Sequence, residues 1–91
     1  MARSHLLQKL RNKRREIDLI DRRLLSLLNQ RLRIAVEIGI DKKEMGTKIY
    51  DPEREKEVLE RLGPRNRGPL KEEDLKKLFA TIIKVCRRSQ K

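Results

Sequence analysis

Three cations stand where a helix would place its apolar seam. Two series of sevens run through the first half of the chain: Leu10, Ile17, Leu24, Arg31, Ile38, and Arg14, Asp21, Leu28, Ala35, Lys42. Positions seven apart fall on one stripe of a helical bundle, so Arg14, Arg31 and Lys42 interrupt that stripe with charge. Such cations suit a small anion with more than one negative group, because a guanidinium grips a carboxylate through two parallel hydrogen bonds and stays charged. Arg31 and Lys42 lie 11 residues apart, roughly 16 Å along a helix axis, and two long side chains leaning together could hold a dianion. Arg14 lies 17 residues from Arg31, roughly 25 Å away, too far to share that ligand within one chain. From the partner in an antiparallel dimer it could reach the site.

Plainer accounts compete with this one. With 25 basic residues in 91, about two or three of ten seam positions would be basic by chance. Long cations also snorkel past a core or pair with a neighbour such as Asp21. Arg54 and Glu55 stand one turn before Val58 and Leu59, with Leu62 one turn further on, and Gln90 stands one turn after Cys86. Taken singly, Glu55 reads as a first-turn acid favoured by the helix dipole, and Gln90 as part of a fraying end.

The elements that would carry these residues follow from periodicity and breakers. Apolar residues at three- and four-residue steps, no proline and a single glycine, Gly39, predict one long helix over about 4–43, with Ser4 as its N-cap. "EMGTKIYDPE" breaks the pattern. Asp51 as N-cap and Pro52 at the first helical position then start a second helix over about 52–62. "GPRNRGP" reads as a loop, and a third helix over about 70–89 carries Leu75, Leu78, Phe79, Ile82, Ile83 and Cys86 on one side. The fold class is all-α, in a single domain over 1–91. Lengths of roughly 60, 20 and 30 Å mean that the short helices barely span the long one. A thin core of this kind is commonly completed by oligomerisation, and an intertwined homodimer is the simplest form.

Composition narrows the partners. The net charge is +11, so anions are favoured, and the excess is spread over both halves rather than gathered in a tail. One cysteine, Cys86, and one histidine, His5, are too few for an internal disulfide or a Cys/His metal site. No apolar run is long enough for a signal peptide or a membrane span, and the expectation is a soluble, cytoplasmic protein. A nucleic-acid-binding module would explain the charge, but Tyr50 and Phe79 are the only aromatics available for base stacking and no binding motif is present.

The segments "KRREIDLIDRRLLSLLNQR", "IAVEIGIDK", "IYDPEREKEVLERL" and "LFATIIKVCRRSQ" together resemble the all-helical class of chorismate mutase, over about residues 10–90. The resemblance implies a dimer of three-helix chains with two equivalent sites, rearranging chorismate to prephenate in phenylalanine and tyrosine biosynthesis without cofactor. By motif position, Arg14 would enter the neighbour's site, while Arg31, Lys42, Asp51, Arg54, Glu55 and Gln90 would serve their own. Arg14 and Arg31 would pin the two carboxylates. Glu55, with backbone near Asp51, would orient the ring hydroxyl, and Arg54 would hold Glu55. Lys42 and Gln90 would donate to the ether oxygen. Cys86 stands where the family often has a serine near a substrate carboxylate, and a thiol is a weak donor. An isochorismate pyruvate-lyase uses a similar set on the same fold, but such members tend to lack the acid after the helix-two arginine, which is here Glu55.

Overall fold

In the computed structural model, which describes residues 2–90, the apolar periodicity is realised as three α-helices: α1 (Ala2–Met45), α2 (Pro52–Leu62) and α3 (Glu72–Arg88). No strand occurs among the described residues, and none of these helices is long and apolar enough to cross a membrane. The chain divides into two units, Met1–Gln30 and Arg31–Lys91.

Residues 2–30 of the first unit are all helical, and each of them is exposed. The seam residues are no exception: Leu10 is 44% exposed and Leu24 is 51% exposed. Ser4 is not an N-cap, because the helix already runs from Ala2 and places the serine inside it.

The second unit holds the buried residues. Ala35 and Gly39 of α1 are buried, as are Leu75, Ile83 and Cys86 of α3. The core is thin, and among the described residues no large side chain is fully enclosed. Local chemistry sets where each helix stops. Gly46 adopts φ +71, a left-handed conformation that costs a glycine little. Its N–H donates to the Lys43 carbonyl at 3.2 Å and the Thr47 N–H donates to the Lys42 carbonyl at 2.9 Å. That pair of bonds is a Schellman closure of α1.

α2 begins as its residues dictate. The Asp51 carboxylate accepts from the Arg54 N–H at 3.1 Å, and Pro52 sits where no donor is needed. The expected loop after α2 contains a one-turn 3₁₀ helix, Gly63–Arg65. α3 starts two residues later than its periodicity implies. The Asn66 side-chain amide donates to the Leu70 carbonyl at 2.7 Å, and Lys71 is extended, so helical bonding opens only with the Leu75 N–H on the Lys71 carbonyl at 2.9 Å.

The tightest approach in this unit is at Gly39. A β-carbon there would lie 2.8 Å from both Cα and Cβ of Gln90 and 3.0 Å from its carbonyl oxygen. Two of these neighbours are backbone atoms, which cannot swing aside. Gly39→Ala would gain about 1 kcal/mol of helix propensity and lose about 1–3 kcal/mol to overpacking. The melting temperature should therefore fall, and an unchanged or raised Tm would show that the end of α3 does not sit against α1.

Candidate active site

Within the second unit, three helix ends converge on a cleft of about 340 Å³. α1 contributes Arg31, Ala35, Ile38 and Lys42, spaced four, three and four residues apart and so on one face. The start of α2 contributes Asp51, Arg54, Glu55 and Val58, and the end of α3 contributes Ile83, Cys86, Arg87 and Gln90. Among the described residues, four cations thus face two carboxylates, beside a helix N-terminus whose free N–H groups also favour negative charge.

A second cleft is larger, about 710 Å³, and lies around the 3₁₀ turn and the start of α3. Its charges are matched within their own helices, Lys56 with Glu60 at 3.9 Å and Lys76 with Glu72 at 3.6 Å. Size favours the larger cleft, but the uncompensated positive charge lies in the smaller one, and charge is what selects an anion.

Each polar group in the smaller cleft is held in its own way. The Lys42 ammonium donates to the Ile49 carbonyl at 2.8 Å, which uses one of its three donors and leaves two. Arg87 Nη1 meets Glu55 Oε1 at 2.7 Å, and the guanidinium lies 4.5 Å from the centroid of the Tyr50 ring. Gln90 is half-buried on a turn after α3, with its N–H donating to the Arg87 carbonyl at 3.1 Å. Cys86 is buried with a free thiol. The Asp51 side chain is occupied as the cap of α2.

One expected contact is different. Arg54 does not hold Glu55; its Nη1 pairs with Glu57 Oε1 at 2.8 Å, and Arg61 reaches the same oxygen at 2.7 Å. Neighbours at i and i+1 point to different faces of a helix, whereas i and i+3 adjoin, so Arg54 finds Glu57. Glu55 is held by Arg87 instead. Arg14 is exposed in the first unit and is not among the residues lining this cleft.

Three contributors escape a reading of the sequence: Arg87, the Ile49 carbonyl and Gly39. Arg87 leaves a trace, since it lies four residues after Ile83 and three before Gln90 on the α3 face. A backbone carbonyl leaves none.

The family model described as chorismate mutase type II matches residues 13–91. A chorismate mutase from Helicobacter pylori, crystallised in complex with prephenate, is 41% identical with a TM-score of 0.82, over 89% of this chain and 88% of that one. A chorismate mutase (form I) from Thermus thermophilus is 40% identical with a TM-score of 0.84, over 86% of this chain and 98% of that one. A bifunctional chorismate mutase/prephenate dehydratase of Aquifex aeolicus (strain VF5) is 36% identical over 84 residues. That alignment takes in 88% of this chain and 23% of the Aquifex protein, so the chain spans less than a quarter of that relative's length. With the family's pattern matched over most of its residues and its fold matched at about 40% identity, the chain belongs to the chorismate mutase type II family.

Proposed function

We infer that this chain rearranges chorismate to prephenate, supplying phenylalanine and tyrosine synthesis in the cytoplasm, and that its 91 residues act as one mutase domain. The observation that carries this reading is the gathering of Arg31, Lys42, Glu55 and Gln90 around one positively charged cleft. Chorismate carries two carboxylates, a ring hydroxyl and an enolpyruvyl ether. A C–O bond breaks at the ether as a C–C bond forms between the ends of the same molecule. The enzyme has to select the folded conformer and stabilise negative charge growing on the ether oxygen.

Arg31 binds one carboxylate through its fork of donors. Glu55 accepts from the ring hydroxyl beside the capped start of α2, and Arg54 adds positive charge at the same end. The two remaining donors of Lys42 and the amide of Gln90 meet the ether oxygen. They bind it more strongly as the bond breaks, and that difference accelerates the step. Cys86 packs against the ligand and contributes little as a donor.

A second copy of the chain completes the site. Residues 2–30 expose Leu10, Leu24 and Leu28 on one stripe, and a helix gains most of its stability from packing such a face. An intertwined homodimer covers the stripe and carries Arg14 of each chain to the other's cleft, where it binds the second carboxylate.

Incubating the purified protein with chorismate should yield prephenate. Release of pyruvate from isochorismate, with no turnover of chorismate, would instead identify a lyase.

The two donors at the ether oxygen differ in how they respond to pH. The Gln90 amide donates at any pH, so wild-type turnover should change little between about pH 6 and 9. In Gln90→Glu the donor exists only while the new carboxyl is protonated, a form that dominates below an ordinary value of ~4.3. Activity of that variant should be low at neutral pH and climb toward acid; a flat profile would remove Gln90 from the ether oxygen.

The shared site has its own test. Arg14→Ala and Lys42→Ala should each be nearly inactive, the latter by ~100- to 1000-fold as for loss of one transition-state donor. Mixing the two with verified subunit exchange should restore activity, because one heterodimer site then has both residues. No recovery would mean that Arg14 does not serve the partner.

A further inference from the structure

We infer that Arg87 is a positioning residue for the reaction: it fixes the Glu55 carboxylate through Oε1 and leaves the second oxygen to accept the substrate's ring hydroxyl. This rests on the chorismate mutase reading above. The contact joins residues 32 apart in sequence, tying the last turn of α3 to the first turn of α2. At 2.7 Å it is a short, charge-assisted bond. Its setting separates it from the other ion pairs of α2. The Lys56 and Glu60 side chains are 78% and 66% exposed, where water screens the attraction. Those of Arg87 and Glu55 are 32% and 24% exposed, so the pair is largely shielded.

One further contact explains why an arginine is used. The guanidinium lies over the Tyr50 ring at 4.5 Å, an arrangement that fixes its plane. A lysine would bring the charge but not the planar face or the fork. Independently of the side chain, the Arg87 carbonyl accepts from the Gln90 N–H at 3.1 Å, so the turn bearing Gln90 follows directly on the residue that holds Glu55. Electrostatics give the same answer. A bare Glu55 in a cleft built for a dianion would repel it, and the Arg87 charge offsets that repulsion while leaving Arg31 and Lys42 free to attract.

The experiment measures kcat and KM for chorismate and the melting temperature. The full chain is compared as wild type, Arg87→Ala, Arg87→Lys, Tyr50→Ala, Glu55→Ala and the Glu55→Ala/Arg87→Ala double variant. Arg87→Ala should lower kcat/KM by roughly 10- to 100-fold, the range for a hydrogen bond to a charged group. Most of the loss should enter through KM, because the hydroxyl is gripped in both ground and transition states. Arg87→Lys should recover part of it. Tyr50→Ala, at an exposed ring, should cost roughly 2- to 5-fold. With Glu55 already removed, Arg87→Ala should cost less than about twofold more, since nothing is left to position.

Losses that multiply in the double variant would overturn the inference, as would an Arg87→Ala protein with wild-type kinetics. If Arg87→Ala fails to fold, wild-type kcat/KM in both Arg87→Lys and Tyr50→Ala would overturn it equally. A wild-type protein that forms no prephenate defeats the functional reading itself, an outcome distinct from an active wild type whose variants behave otherwise.

Discussion

At Gly39 the end of α3 comes so near α1 that a β-carbon would stand 2.8 Å from the Cα of Gln90. Gly39 is three residues before Lys42, on the same side of the helix, and Lys42 and Gln90 line the same cleft. The rest of the cleft is fastened to the same place. The Schellman closure at Gly46 ends α1 and sends the chain back, so that the Ile49 carbonyl can take the Lys42 ammonium. Asp51 then caps α2 and fixes where Glu55 emerges, and Arg87 closes the ring from α3. A thin core suffices because helix ends, rather than long helix faces, do the positioning.

The cleft is an arrangement of like charges held together in advance of a ligand. Among the described residues, Arg31, Lys42, Arg54 and Arg87 line it with only Asp51 and Glu55 in opposition. Some of that charge is committed, Arg87 to Glu55 and Arg54 to Glu57. What remains is suited to a small dianion, and the cost of gathering it is met by folding rather than during the reaction. That is the condition under which fixed donors stabilise a transition state better than water does. The larger cleft has more room but neutralises its own charges along each helix, so it offers no comparable field.

Local signals in the sequence carry far, and long-range ones do not. Asp51 and Pro52 announce the start of α2 because a cap involves neighbours in the chain. The seven-residue period finds Arg31 and Lys42 but leaves them near chance; their 11-residue spacing and the family resemblance single them out. Periodicity misplaces the start of α3 because apolar residues reach back to Leu70, while the Asn66 side chain that takes the Leu70 carbonyl is a competing interaction. Gly39 is visible as a lone glycine in a helical run, but its purpose depends on the backbone of another helix. Arg87 pairs with a residue 32 positions away, and no spacing rule within one helix could find it. The resemblance assigns Glu55 to Arg54, but residues adjacent in sequence point in different directions on a helix, and Arg54 pairs with Glu57.

Everything proposed for the reaction depends on the smaller cleft of the second unit being where the ligand's charge is received. A crystal structure of the chain with prephenate tests this most directly. A ligand carboxylate should lie within hydrogen-bond distance of the Arg31 guanidinium, with Lys42 and Gln90 turned toward the ligand's oxygens. Prephenate seated instead beside Lys56, Glu60 and Glu72, or bound with Arg31 and Lys42 untouched, would contradict it.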